Sequence, residues 1–237
     1  MENRELLISL AIKYNGEYSL IKKAIENNEI CELRECRNCI TILDKEYPKR
    51  LLDLKRPPYV LFYKGDINLL NEESIGIVGS RKPCDYALRA TREVVLNRRD
   101  KVVISGMAKG IDACAHKYAD RTIGILGCGI NYIYPYCNKD LFKEVEKKGL
   151  LISEYPDKSL PYAYHFPFRN RLIAALSDEV YIMEVHEKSG TITTVNESLE
   201  LGKDIRVLPY DVFNESGSYN NYLINEGALM INIKIDK

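Results

Sequence analysis

The sequence predicts an α/β protein built on a doubly wound, mostly parallel sheet, with a short helical extension at its amino terminus. Three observations carry that expectation. From Ser74 onward, short apolar runs alternate with amphipathic stretches, the rhythm of strand and crossover helix. The runs are nearly unbroken Ile, Val and Leu, as strands covered on both faces require. Residues 1–40 differ: Leu6, Leu7, Leu10, Ala11 and Tyr14, then Leu20, Ile21, Ala24 and Ile25, recur at helical spacing.

In chain order, residues 1–40 read as two short helices, too small to hold a core of their own. Tyr47-Pro48 to Pro57-Pro58 is punctuated by proline and reads as a connector. Strands are expected at Ile75–Val78, Val102–Ile104, Ile123–Leu126, Leu150–Ile152, Val180–Val185, Ile205–Leu208 and Leu229–Ile233. Helical patterns fall at Tyr86–Arg98, Ile111–Tyr118, Leu141–Lys147, Asn170–Leu176, Val195–Leu201 and Asn221–Glu226. The expected division is a helical segment, 1–40, and a sheet domain, 41–237. No internal repeat or low-complexity tract interrupts it.

Of the 237 residues, 46% are hydrophobic and 29% charged, an ordinary globular mix. Lys+Arg and Asp+Glu both number 34, so a protein that coats duplex DNA by bulk charge is not expected. No apolar run approaches the roughly 18 residues of a membrane helix, and Met1-Glu2-Asn3-Arg4-Glu5 lacks a signal-peptide layout. The seven cysteines are scattered through apolar sequence, as in a reduced, cytoplasmic protein. Charge does segregate locally. Residues 79–121 carry ten Lys/Arg against five Asp/Glu, whereas 178–204 carry two against seven.

In a doubly wound sheet, ligands bind beyond the carboxyl ends of the strands, and the polar, glycine-rich clusters fall there. They are Gly79-Ser80-Arg81, Ser105-Gly106-Met107-Ala108-Lys109-Gly110-Ile111-Asp112, Gly127-Cys128-Gly129, Ser153-Glu154-Tyr155-Pro156 and Lys188-Ser189-Gly190-Thr191. Ser189-Gly190-Thr191 reads either as an anion cradle at a helix start or as a plain helix cap. Gly79-Ser80-Arg81 reads either as a phosphate clamp or as a surface arginine beside a turn. A Walker A loop is absent, and Gly127-x-Gly129 lacks the third glycine of a dinucleotide site.

Residues 132–168 hold nine of the 22 aromatic rings, beside Arg169 and Arg171. Rings interleaved with cations suit splayed single-stranded bases, although more than half of them are expected to plug the sheet edge or a subunit contact. Catalytic machinery is not evident. His116, His165 and His186 form no metal pattern, and His116, within an apolar helix, reads as a core or hydrogen-bonding residue. Cys31, Cys36 and Cys39 give C-x4-C-x2-C without a fourth ligand, so core thiols are expected rather than a metal seat. No cofactor is expected.

Taken in order, these clusters resemble the DNA-processing protein A family (DprA, also called Smf), from about Thr41 to Ala228. The series runs from Tyr47-Pro48 and Pro57-Pro58-Tyr59-Val60-Leu61-Phe62-Tyr63-Lys64-Gly65 through Gly79-Ser80-Arg81 and Ser105-Gly106-x-Ala108-x-Gly110-Ile111-Asp112. It continues with Tyr134-Pro135-x-x-Asn138 and Ser153-Glu154-Tyr155-Pro156. Its most specific member is Phe166-Pro167-Phe168-Arg169-Asn170-Arg171-Leu172-Ile173-Ala174-Ala175-Leu176-Ser177, and Ser189-Gly190-Thr191 and Gly227-Ala228 close it.

The resemblance implies a Rossmann-like domain and a non-enzymatic recombination mediator that binds single-stranded DNA, protects it and helps load the RecA recombinase. It also implies a homodimer. On this chain, Gly79, Ser80 and Arg81 would hold one phosphate and Ser189, Gly190 and Thr191 a second. Phe166, Arg169 and Asn170 would shape a base pocket, with Ser105, Gly106 and Lys109 on the same edge. Tyr210 and Tyr219 depart from the family's usual glycines, the amino-terminal helical piece is short, and no winged-helix module is expected. One alternative is a nucleotide hydrolase or sensor, because Ser189-Gly190-Thr191 with Glu197 resembles the phosphoribohydrolase signature without its doubled glycine. Another is a scaffold that keeps only protein contacts.

Overall fold

The computed structural model describes residues 2–157 and 159–233. Two helices, α1 (Glu2–Lys13) and α2 (Tyr18–Glu26), precede β1 (Cys39–Thr41) and β2 (Val60–Gly65). The alternating part follows as β3 (Ser74–Val78), α3 (Asp85–Leu96), β4 (Val102–Gly106), α4 (Ile111–Tyr118), β5 (Thr122–Leu126), α5 (Lys139–Lys148) and β6 (Leu150–Ser153). It ends with α6 (His165–Leu176), β7 (Glu179–Ile182), α7 (Thr191–Glu200), β8 (Asp204–Val207), α8 (Ser218–Asn225) and β9 (Leu229–Met230).

These strands form one sheet in the order β1-β2-β6-β5-β4-β3-β7-β8-β9. From β6 to β9 all pairs are parallel, whereas β1 and β2 add an antiparallel edge. The chain winds outward from β3 to β6, then returns to the other side of β3 as β7. That reversal opens a crevice between the carboxyl ends of β3 and β7.

Side chains alternate across the sheet, as the period of a strand requires. Ile75, Ile77 and Val103 face Ala87, Ala90, Val94, Ile111 and Ala115 of α3 and α4. Val78, Val102, Ile104 and Ile125 face Leu172, Ile173 and Val195 of α6 and α7. Phe142 and Val145 of α5 cover Leu126 and Leu151. The amino-terminal helices pack Leu7, Ile8, Leu10, Ile21 and Ala24 onto Cys39, Val60 and Phe62 of β1 and β2.

All seven expected apolar runs contain strands, and two strands were not expected. β1 is only three residues long, and β2 follows prolines in the stretch read as a connector, so neither repeats the strand-helix rhythm. The run Val180–Val185 leaves the ladder after Ile182; the Val185 N–H instead donates to Asn220 Oδ1 at 2.9 Å. The helix expected from Asn170 begins at His165, because Pro167 sits in the first turn, where a missing N–H costs nothing. Likewise α7 starts at Thr191 rather than Val195.

Helix α6 buries two arginines. Arg171 meets Glu154 in a bidentate pair at 2.5 and 2.6 Å, and also donates to the carbonyls of Arg56 and Phe168 at 3.1 and 2.9 Å. Both partners are about 95% buried, so the pair pins α6 to the end of β6. Glu154→Ala leaves the guanidinium buried without a counter-ion and is expected to cost about 3–5 kcal/mol of stability, read from the urea midpoint. Glu26→Ala, which removes only the exposed pair with Lys22, is expected to leave that midpoint unchanged.

Candidate nucleic-acid interface

A cavity of about 610 Å³ occupies the crevice between β3 and β7. Gly79, Ser80 and Arg81 line it from the loop after β3, Phe166, Arg169 and Asn170 from α6, and Ser189, Gly190 and Thr191 from the start of α7. Three segments spread over more than 100 residues of sequence thus converge on one space. A second cavity of about 270 Å³ adjoins it, sharing Arg81, Phe166 and Arg169 and adding Met107, Lys109, Gly127 and Cys128.

The structure shows the cap reading of Ser189-Gly190-Thr191 and sets the segment at the edge of the cavity. The Ser189 hydroxyl caps the helix: it accepts the Thr191 N–H at 3.2 Å and donates to Thr191 Oγ1 at 3.1 Å. Thr191 Oγ1 in turn donates to the Gly79 carbonyl at 3.4 Å, tying the two loops together. The Asn170 amide donates to Gly190 O and Thr193 Oγ1 at 3.0 and 3.1 Å, so it braces the same turn. The positive end of α7 therefore faces the cavity from a rigid loop.

Opposite, the Lys82 N–H donates to Ser80 Oγ at 3.1 Å, closing a tight turn that leaves Arg81 exposed. The Arg81 guanidinium lies over the Phe166 ring, 5.5 Å from its centroid, and Tyr134 tilts against the same ring at 5.4 Å. A Cβ on Gly127 would lie 2.8 Å from Phe166, so glycine is what lets the ring settle against the end of β5. Lys82, Lys109 and Lys188 complete an exposed basic rim. Among the described residues, neither they nor Arg81 pair with a carboxylate.

Several expected residues are largely buried, at the cavity floor or below it. Arg169 is 4% exposed, donates from NH1 to the Ile125 carbonyl, and leaves Nε without a partner among the described residues. Ser105 is fully buried, its hydroxyl donating to Ile77 O at 2.6 Å, and Gly106 is buried under Arg169 and Asp112. Lys109 stands at the rim of the smaller cavity.

Asp112, Tyr134 and Lys188 line the main cavity although no role was read for them from sequence. Asp112 is the one carboxylate among the residues lining it. Burial pushes that carboxyl up, while the Arg169 charge pulls the other way. Tyr134 carried a signal, since it precedes Pro135 in the aromatic-rich stretch.

Of the nine rings in 132–168, only Phe142 and Tyr155 are buried, and Tyr132, Tyr134, Tyr136, Tyr162 and Tyr164 are exposed. The rings that plug the sheet edge within the chain are thus a minority; the expectation also counted those at a subunit contact. Glu197 lines neither cavity, and Glu154 and Glu184 are spent on Arg171 and on Cys84 N–H and Tyr210. Neither Tyr210 nor Tyr219 takes a positive φ. Tyr210 packs instead where a side chain on Gly217 would stand. Among the described residues no three His, Cys, Asp or Glu side chains gather as metal ligands, and no helix is long and apolar enough to cross a membrane.

Beneath this floor, His116 Nε2 donates to the Gly106 carbonyl at 2.6 Å, and Nδ1 lies 2.6 Å from Thr122 Oγ1. It is a buried hydrogen-bonding residue, as read from sequence, and burial holds its pKa down at about 4.

The family model described as "DNA recombination-mediator protein A" matches residues 38–236. The chain is 38% identical to the DNA processing protein DprA of Bacillus subtilis over 201 residues, covering 82% of this chain and 68% of that protein. It is 40% identical to the protein Smf of Synechocystis, covering 79% of this chain and half of that one. A crystal structure of DprA from Streptococcus pneumoniae superposes with a TM-score of 0.79 at 26% identity, over 98% of this chain and 94% of that one. The Helicobacter pylori DNA processing protein A, whose structure is described for its single-stranded DNA binding mode, gives 0.75 at 33% identity, over 81% and 90%.

The buried imidazole makes stability fall in acid. An unfolded histidine takes its proton near pH 6.5, whereas His116 resists until about pH 4. Stability is therefore complete above pH 6.5 and lost as the pH drops towards 4, by on the order of 3 kcal/mol. Urea unfolding between pH 7 and 4 is expected to show that decline, and His116→Gln to flatten it while lowering stability at pH 7.

Proposed function

The chain belongs to the DNA recombination-mediator protein A family, and from that premise we propose that it binds single-stranded DNA along the β3–β7 crevice, protects it and passes it to the RecA recombinase. The observation that carries the reading is the convergence of Gly79-Ser80-Arg81 and Ser189-Gly190-Thr191 on one cavity beside Phe166. Two anion-binding loops flank a space walled by a ring. Phosphates would be held by backbone N–H groups and the Arg81 guanidinium, while an unpaired base enters the cavity against Phe166.

Relatives and fold support the same reading. The Helicobacter pylori neighbour is described for binding single-stranded DNA, and the family is described as a recombination mediator; the hand-over to RecA rests on that membership. Arg169 and Asn170 serve as positioning residues here, one under the cavity floor and one bracing the α7 turn. Glu197, the carboxylate on which the hydrolase alternative rests, lines neither cavity, and Asp112, the carboxylate that does, is buried beside the Arg169 charge.

A homodimer belongs to this proposal. At the sheet edge, β9 exposes Leu229 and Met230, and nearby Val212 and Phe213 are 84% and 91% exposed. An open apolar strand edge is suited to a second copy of the chain. Sedimentation velocity is expected to show a dimer for the native protein and a monomer for Met230→Lys.

Fluorescence anisotropy with labelled oligo-dT, matched duplex and mononucleotide competitors tests the DNA reading. Single strand is expected to bind tighter than duplex, with mononucleotides competing weakly. Arg81→Ala is expected to weaken binding to all single-stranded sequences alike. It should also reduce the slope of log K against log salt by about 0.7, the value of one single-strand phosphate contact. Equal affinity for duplex, or no binding of single strand, would sink the reading.

A further inference from the structure

The C-x4-C-x2-C motif lines neither cavity of the candidate interface and, among the described residues, belongs to no metal cluster. Cys31 and Cys36 are partly exposed, whereas Cys39 is buried at the start of β1. The Cys39 thiol donates to the Cys36 carbonyl oxygen at 3.2 Å, which holds the two residues of C-x2-C together. Cys36 also faces a groove of about 600 Å³ that Arg34, Arg37 and Lys64 line with Asp157. The segment carrying it is anchored, because the Arg34 N–H donates to Ser9 Oγ of α1 at 2.7 Å.

We propose that Cys36 and Cys39 form a redox-active dithiol that exchanges with small anionic disulfides of the glutathione class. The Cys36 thiolate attacks one sulfur of the incoming disulfide, and the displaced thiolate leaves with the electron pair of the broken S–S bond. Cys39 then gives up its proton to solvent and attacks the Cys36 sulfur, expelling the second thiolate. Two protein thiols are oxidised to one disulfide, and one small disulfide is reduced to two thiols.

Three features fit the two steps. Cys36 is partly exposed, and its neighbour Cys39, assisted by the Asn38 N–H and the Arg4 charge and opposed by burial and Asp157, draws its pKa down to about 7. A thiol whose pKa matches ambient pH is the best attacking nucleophile. Cys39, by contrast, is buried and held up by the same partner, which suits the resolving thiol. Arg34, Arg37 and Lys64 outnumber Glu35 and Asp157 along the groove, which leaves it the charge to draw an acidic disulfide.

The test uses the full chain in glutathione redox buffers, read by non-reducing mass spectrometry and peptide mapping. The expected product lacks two hydrogens, maps to a Cys36–Cys39 link and is reversed by dithiothreitol. Cys39→Ser is expected to trap a glutathione adduct on Cys36, and Cys36→Ser to leave Cys39 unmodified. Arg37→Glu should slow exchange with glutathione disulfide by about tenfold but not exchange with uncharged hydroxyethyl disulfide. A chain that stays reduced, a link through Cys31 or the exposed Cys137, or a Cys36 no faster to react than Cys137 would overturn the proposal.

Discussion

Burying two guanidinium groups in one helix is the constraint on which this architecture turns. A buried, charged arginine is costly unless its donors are met. In α6 that demand, although it leaves Arg169 Nε without a partner among the described residues, fixes the helix against the ends of two strands. Arg171 locks onto Glu154 after β6 and onto two backbone carbonyls, while Arg169 reaches the Ile125 carbonyl of β5 beside Asp112. The helix therefore sits with its first turn at the carboxyl rim, where Phe166 emerges over the crevice. Side chains whose chemistry suggests ligand contact instead do the positioning.

The crevice itself follows from connectivity. Because the chain leaves β3 in one direction and returns to it as β7, the loops after these neighbours diverge to opposite faces and leave a gap. Small residues keep that gap open and its walls close. A side chain on Gly127 would displace Phe166, and one on Gly106 would strike both Arg169 and Asp112 at 2.5 Å. The hydrogen bond from Thr191 to the Gly79 carbonyl then couples the loops that open α7 and follow β3.

Much of this was readable from the chain because it depends on local pattern. Unbroken Ile/Val/Leu runs mark buried parallel strands, and the glycine clusters after them mark the rim. What escaped was set by tertiary contact. β2 is recruited by pairing with β6 rather than by its own periodicity. The start of α6 is carried across Pro167 by burial of His165, which stacks on Tyr155. Whether an arginine faces solvent or lies beneath a floor is likewise invisible in a one-dimensional string: Arg81 and Arg169 both belong to conspicuous motifs, yet one is exposed and the other 4% accessible.

A zero formal charge is compatible with binding a polyanion because screening makes distant charges irrelevant. At physiological salt the Debye length is about 8 Å, so a backbone entering the crevice experiences the rim and not the whole surface. There it meets Arg81, Lys82, Lys109 and Lys188, while the acidic residues of 178–204 lie largely elsewhere; Glu184 is buried and Glu197 lines neither cavity. On the proposed reading, selectivity for an unpaired strand would come from depth rather than from charge. A duplex presents phosphates just as well, but its bases remain stacked inside and leave the space beside Phe166 unfilled. Only a strand free to turn a base outward can use both loops and the ring between them.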